Sequence, residues 1–205
     1  MNPHRIFLLS PANAGGERAK MVLSDRAQFD LAVKLRQEGA PLGDVYAFLS
    51  GLYFRGKLAY AKAFAAAPPG IPASLVITPG RGLLPPETPV TIAELQTIAA
   101  VRIDIDDPRY RAPLERDAQI INAAAGPDCD YVLLGSLATS KYLEPLVKIF
   151  GERLLFPAEF VGRGDMSRGG LMLRCAHNGV ELNYTPAHSS TRHGPRPAKL
   201  TKWKP

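Results

Sequence analysis

The sequence predicts an α/β fold, and two features of the chain lead to that prediction. Short apolar runs alternate with helical stretches, which is typical of a mainly parallel sheet with helices on both faces. No linker or repeat divides the chain. We therefore expect a single three-layer domain over residues 1–187, ending in a C-terminal hairpin, and a basic extended tail over residues 188–205.

The first half of the chain is predicted to hold two strands and four helices. Residues 5–9 form a short apolar run that leads into Ser10 and Pro11, which indicates a buried strand followed by a loop. The Ala-rich residues 55–67 are apolar on one face and end before two prolines, which predicts a helix. The predicted strands are 5–9 and 74–78, and the predicted helices are 17–23, 26–38, 44–50 and 55–67.

The second half begins with a helix-start signal and is predicted to end in a hairpin. Thr91 is followed three residues later by Glu94, the pattern of a capping box. Asn178 and Gly179 separate two apolar runs and predict a hairpin turn. The predicted strands are 101–105, 130–134, 153–156, 171–175 and 180–184, and the further helices are 114–125 and 141–150.

Composition limits the classes of function. The 205 residues carry a net charge of +6, which favours a polyanionic partner, although a basic enzyme without such a partner explains the charge equally well. The two cysteines form no CxxC pair and the four histidines lack metal-ligand spacing, so we expect no disulfide framework and no metal. No apolar run is long enough to span a membrane. We expect a cytoplasmic protein with no cofactor and no obligate protein partner.

The ends of four predicted strands are rich in Gly, Ser or Pro. In parallel sheets, ligands bind beyond the carboxyl ends of the strands, so these four segments predict a site. The last of them leads into a stretch with four glycines between positions 162 and 170, where Arg163, Ser167 and Arg168 suit a phosphate and Asp165 suits water activation. The alternative is that this glycine-rich stretch is a mobile turn with solvated charges, in which Asp165 only caps the turn. The four segments are residues 10–16, 79–82, 135–139 and 157–170.

Other strand ends and one helix start supply further candidates. Ser10 and Asn13 follow the first strand, and an amide there positions water or binds a base edge, unless Asn13 only forms a turn. Ser136 and Lys141 follow the cleanest strand and flank a helix start suited to phosphate, although Thr139 or Ser140 could simply cap that helix.

Residues 51–57 match most of a phosphate-binding P-loop pattern, but Leu58 stands where Ser or Thr should hold magnesium, so we treat the match as coincidence. In the same segment, aromatic rings that suit stacking on bases lie beside cations that suit phosphate binding. The alternative is that the aromatic side chains belong to the core and the cations to the surface. The tail, with its cations and Trp203, contacts nucleic acid or only aids solubility. The candidates in residues 51–57 are Tyr53, Phe54, Arg55 and Lys57.

Three segments resemble known families. Residues 7–12, Phe-Leu-Leu-Ser-Pro-Ala, resemble the opening strand and loop of the YaaA peroxide-stress family. Residues 54–64 and the strand that follows them resemble the glycosylase-like domain of archaeosine synthases. Residues 132–138 are similar to a strand and turn of uracil-DNA glycosylases. Together they resemble the uracil-DNA-glycosylase-like superfamily, and the chain is also similar to bacterial anti-phage glycosylases that remove glucosylated hydroxymethylcytosine from viral DNA.

The resemblance implies a DNA glycosylase that flips a base into a cleft and hydrolyses its N-glycosidic bond. Asn13 and Asp165 would orient water and stabilise the oxocarbenium charge, Asn13 as in the mismatch-specific branch. Tyr53 or Phe54 would stack on the base, while the cations Lys141, Arg163 and Arg168 would hold phosphates or a sugar substituent.

The departures from the superfamily concern its motifs. Its Gly-Gln-Asp-Pro-Tyr-His and His-Pro-Ser-Pro motifs are absent, and residues 157–170 occupy the place of the second. We therefore expect a modified or larger base rather than uracil. A non-enzymatic DNA-binding stress protein of YaaA type and an enzyme that processes RNA or nucleotide bases remain alternatives.

Overall fold

The computed structural model describes residues 4–137, 140–190 and 194–201, and its centre is a six-stranded sheet. The order is β4-β3-β1-β6-β7-β8, in which β3, β1, β6 and β7 are parallel and the edge strands β4 and β8 are antiparallel. The prediction of an α/β fold with a mainly parallel sheet is confirmed. The strands are β1 His4–Leu9, β2 Ala40–Pro41, β3 Ser74–Thr78, β4 Gly82–Leu84, β5 Pro89–Val90, β6 Cys129–Leu134, β7 Leu154–Pro157 and β8 Tyr184–Pro186, with β2 and β5 paired separately.

Eight α-helices are found in the described residues, and one begins with the predicted capping box. The Glu94 N–H donates to Thr91 Oγ1 (3.3 Å), and the Thr91 N–H donates to Glu94 Oε2 (2.8 Å). None of the helices in the described ranges is long and apolar enough to cross a bilayer. The helices are α1 Glu17–Leu23, α2 Asp30–Gln37, α3 Leu42–Ser50, α4 Leu52–Phe64, α5 Ile92–Ala99, α6 Pro108–Ala125, α7 Ser140–Phe150 and α8 Asp165–Asn178.

The order of the strands creates a crevice at the centre of the sheet. Leu9 at the end of β1 lies in register with Val76 of β3 on one side and Leu134 of β6 on the other. From β1 the chain first builds β3 on one side and later builds β6 and β7 on the opposite side. Such a reversal leaves a crevice between the carboxyl ends of the two strands, and open α/β sheets bind ligands there. A site is therefore expected beyond Leu9 and Leu134.

Three sequence predictions are wrong in this part of the molecule. The predicted C-terminal hairpin is absent, because α8 runs through Asn178 and ends at Gly179, which has a φ of 64° and donates its N–H to Cys175 O. Asn-Gly suits a hairpin turn, but a left-handed glycine is equally the usual end of a helix. Residues 101–105 form no strand. The glycine-rich stretch is a loop only up to Gly164, and Asp165, Ser167 and Arg168 belong to α8.

Two glycines bring α4 and α8 into direct backbone contact. A Cβ on Gly56 of α4 would lie 2.6 Å from Gly169 O, and a Cβ on Gly169 of α8 would lie 2.7 Å from Leu52 O. A side chain at either position would therefore force the helices apart. The close approach places Lys57, on α4, beside Arg168, on α8.

The tail is extended in the part that the structure describes. Residues 194–201, which we call the strap, form no regular secondary structure. Thr139, the alternative helix cap, and Trp203 of the tail lie outside the described residues.

Candidate functional site

A cavity of about 530 Å³ opens at the carboxyl ends of β1 and β6. Three of the four predicted strand-end segments contribute to it. The fourth, residues 79–82, contains the tight turn between β3 and β4, and Pro79 lines a neighbouring cavity that shares Asn13. The residues that line the main cavity are Ser10, Pro11, Ala12, Asn13, Leu49, Ser50, Tyr53, Ile103, Ser136, Lys141, Tyr142 and Asp165.

A buried lysine lies beneath the cavity. Lys57 is 1% exposed, and its Nζ donates to Ser10 Oγ (2.7 Å) and to Ser10 O (2.8 Å). The same Nζ lies 3.9 Å from the centroid of the Tyr53 ring. Burial lowers the pKa of Lys57 to about 7, with Asp165 raising it and Arg168 lowering it further. Burial therefore makes Lys57 much easier to deprotonate than an ordinary lysine, and its Nζ holds Ser10 rather than reaching a ligand directly.

A second buried cation ties α8 to the strand ends. Arg168 donates from Nε and Nη2 to Phe160 O (3.2 and 3.1 Å) and from Nη1 to Gly135 O (3.3 Å). Its Nη1 also lies 3.9 Å from Asp165 Oδ1. Since two of the three hydrogen-bonding nitrogens serve the Phe160 carbonyl and the third serves Gly135, Arg168 is a structural cation whose charge acts on the cavity from below.

Asp165 is the carboxylate of the cavity. Its side chain is 69% exposed, and it is the first residue of α8, where the helix dipole favours a negative charge. Among the described residues that line the cavity, it is the only acidic one. An accessible carboxylate in this position is able to accept a proton from water or to stabilise a nearby positive charge.

Two tyrosines supply the aromatic surface. Tyr53 is 6% exposed, and burial raises its pKa to about 12. Tyr142 is 5% exposed, and burial, followed by Tyr53 and Asp165, raises its pKa. Both phenols therefore stay protonated at neutral pH. Tyr142 was not named in the sequence analysis. It lies one residue after the candidate Lys141, in the first turn of α7, which follows the most clearly predicted strand in the sequence.

The remaining predicted cavity residues lie at its rim. Asn13 is exposed, and its Oδ1 accepts the Gly15 N–H (3.0 Å), so it forms the turn that was the alternative interpretation while also lining the cavity. Ser136 lines the cavity from the end of β6. Lys141 lines it from α7, with its Nζ 5.1 Å from the centroid of the Tyr142 ring.

Four predicted residues lie elsewhere. Phe54 is fully buried and packs edge-to-face on Tyr46 with centroids 5.3 Å apart, so only Tyr53 of this pair lines the cavity. Arg55 is exposed on α4 and does not line it. Arg163 donates from Nη1 to Ser167 Oγ (3.1 Å), and both residues line a separate groove on the other side of the first turn of α8.

In the described residues the cavity thus combines two tyrosines, three serine hydroxyls, one side-chain amide, one carboxylate and the cation of Lys141, with Lys57 and Arg168 beneath it. This set suits a ligand with a planar ring and polar substituents that develops negative charge. Within the described ranges, no group of three His, Cys, Asp or Glu residues is placed to hold a metal ion. No protein-family model, no curated protein and no solved structure matches the chain.

Proposed function

We propose that the protein is a DNA glycosylase that excises a modified base. The observation that carries the proposal is the meeting of Asn13, Tyr53 and Asp165 at one cavity beyond β1 and β6. The volume of about 530 Å³ lies in the range of pockets that enclose small organic ligands, so one flipped nucleotide fits.

The reaction follows from the charges around the cavity. The bond between C1′ of the deoxyribose and the base nitrogen breaks, and both bonding electrons leave with the base. Water, held by Asn13, adds to C1′ and gives up one proton to Asp165, whose carboxylate also faces the positive charge that develops on the sugar. The base departs as an anion and then takes up a proton, leaving an abasic site. The positive charge of Arg168 below the floor, together with that of Lys57 in its protonated form, favours that anion.

The remaining residues of the cavity bind the nucleotide. Tyr53 and Tyr142 offer faces for the base. Ser10, Ser136 and Lys141 offer donors for a sugar substituent or a phosphate. The sequence resemblance to anti-phage glycosylases makes glucosylated hydroxymethylcytosine in phage DNA the first substrate to test, and it implies a role in antiviral defence.

Base release measured by mass spectrometry tests the proposal. The protein is incubated with unmodified DNA, uracil-containing DNA, and phage DNA with hydroxymethylated or glucosylated cytosine. We expect a released modified base and abasic sites, and at least about a 100-fold slower release by Asp165→Asn. The matched control is Asp128→Asn, which alters an exposed carboxylate before β6, at the opposite end of that strand.

Each other outcome argues for a specific alternative. Salt-sensitive DNA binding without release of any base supports the non-enzymatic binding protein. Release from RNA or free nucleotides alone supports the base-processing enzyme. Equal rates for Asp165→Asn and the wild type on a proven substrate would remove Asp165 from the mechanism.

A further inference from the structure

A groove of about 390 Å³ lies on the side of α8 that faces away from the cavity. One wall is the beginning of α8 with the loop before it, and the other wall is the strap, residues 194–201. Its cations are Arg163, Arg174, Arg196 and Lys199, and we call it the basic groove.

The strap is held against the rest of the molecule by specific contacts. Gly162 has a φ of 71°, and a Cβ there would lie 2.1 Å from Pro195 O, so only glycine leaves room for the strap. Arg163 Nη1 donates to Ala198 O (3.4 Å), and Arg174 donates to the carbonyl of Thr201. These contacts are made with backbone carbonyls and leave the positive charges in place.

The charged side chains that line the groove are cations. In the described ranges, no Asp or Glu is among the residues that line it. The ion pairs found within the described ranges include none of Arg163, Arg196 and Lys199. A concave surface whose charged side chains are all cations concentrates positive potential and attracts a polyanion.

The groove and the cavity are adjacent along the chain. Gly164, Met166 and Ser167 line the groove, while Asp165, between them, lines the cavity. A chain of phosphates that lies in the groove therefore passes within one helical turn of the catalytic carboxylate. An anionic membrane surface is too flat to follow a groove of this kind, whereas a nucleic-acid strand is able to enter it.

We propose that the basic groove binds the phosphate backbone of DNA beside the nucleotide that occupies the cavity. This inference rests on the proposed function for the identity of the nucleic acid. Arg196 and Lys199 approach the phosphates from the strap, and Arg163 approaches them from the loop before α8 while keeping the strap in place.

The test compares two charge-matched double variants. Arg196→Ala with Lys199→Ala removes two cations from the groove. Lys62→Ala with Lys148→Ala removes two cations from the last turns of α4 and α7, whose first turns lie at the cavity, so these two lysines are at the far end of each helix. All four positions avoid the core, and thermal unfolding verifies that each variant is folded.

Affinity for a fluorescein-labelled DNA oligonucleotide without modified bases is measured by anisotropy over a series of salt concentrations, as single strand and as duplex. We expect the groove variant to bind at least about tenfold more weakly and its log–log salt slope to be shallower by about 1.5, the loss of two phosphate contacts. The control variant should keep the slope of the wild type. Equal losses of DNA affinity in both variants, or no DNA binding by the wild type at low salt, would contradict the proposal that the groove binds DNA.

The outcome separates this inference from the proposed function. If DNA binding depends on the groove but no base is released, the proposed role of the groove stands and the glycosylase proposal is rejected. Base release from long DNA is also measured at limiting enzyme concentration. If the groove variant and the wild type release the base at the same rate, the glycosylase proposal stands and the proposed role of the groove in DNA binding is rejected. Vesicles containing phosphatidylserine form a third arm, and groove-dependent binding to them but not to DNA also rejects the proposal.

Discussion

The two basic regions of the molecule differ in how their cations are held. Beneath the cavity, Lys57 and Arg168 are buried, and each donates its hydrogen bonds to carbonyl or hydroxyl oxygens of the strand ends. In the basic groove, Arg196 and Lys199 project from an extended strap. A buried cation costs desolvation free energy that is recovered only with good partners, so the first pair belongs to the fold. The exposed pair acts in solvent, where salt screens it.

The difference predicts two kinds of response to mutation. Changes beneath the cavity should alter the free energy of unfolding and its dependence on pH. Changes at the groove should alter binding and its dependence on salt, with little effect on unfolding. Each variant below is paired with a control variant, which lies on the same helix or at a glycine with a similar positive φ. Comparing the two shows which of the two responses the mutation causes.

The largest effect is expected where α4 meets α8. In Gly169→Ala the new Cβ would lie 2.7 Å from Leu52 O and 2.8 Å from the Tyr53 Cα, so the helices that carry Lys57 and Arg168 must separate. We expect a loss of about 3 kcal/mol in the free energy of unfolding, measured with urea. In the neighbouring Gly170→Ala the Cβ would meet only Leu200 at 3.5 Å, so this control should keep its stability or gain up to about 1 kcal/mol of helix propensity. Equal stability of the two variants would contradict the close contact.

The second effect is a dependence of stability on pH that Lys57 introduces. Its pKa is about 7 in the folded protein against 10.5 for an ordinary lysine, so between these values the unfolded chain binds the proton more tightly. The free energy of unfolding should therefore rise with pH, by up to about 1.4 kcal/mol per pH unit. Between pH 7 and pH 8, below the ordinary pKa values of cysteine and tyrosine, the rise should reach about 1 kcal/mol.

Lys57→Met should abolish that rise, because the titrating group is gone. Lys62→Met, at an exposed lysine on the same helix, should retain it. Urea unfolding at several pH values measures both. The same slope in Lys57→Met and the wild type would show that another group causes the pH dependence.

Local patterns in the sequence predicted the sheet better than they predicted the site. The strand Ser74–Thr78, the helix Glu17–Leu23 and the Thr91 capping box are found as predicted, since each depends on neighbouring residues alone. The helix α8 was missed because Gly169 and Gly170 lower helix propensity, and only the packing of α4 explains the presence of Gly169. Contacts between distant segments of this kind leave no periodic signal.

The site shows the same limit. The strand ends pointed to Ser10, Asn13 and Ser136, which line one cavity because the topology of a parallel sheet brings such ends together. Lysine is almost never fully buried, so nothing in the sequence indicated that Lys57 lies beneath Ser10. The groove depends on a strap that reaches α8 only in the folded chain, and the tail by itself indicated no more than an extended basic segment.

The smallest effect on stability, and the sharpest test of the strap, is expected at Gly162. Gly162→Ala and Gly179→Ala each place alanine at a positive φ, 71° and 64°, which costs about 1 kcal/mol in either variant. A Cβ at Gly179 meets nothing within 4 Å, whereas one at Gly162 would collide with Pro195 O at 2.1 Å. The two variants should therefore unfold with similar free energies, yet only Gly162→Ala should release the strap and weaken DNA binding, with the shallower salt slope of the groove variant. If both variants bound DNA as the wild type does, the position of the strap would not matter for binding. If both lost affinity equally, backbone strain rather than the strap would be the cause.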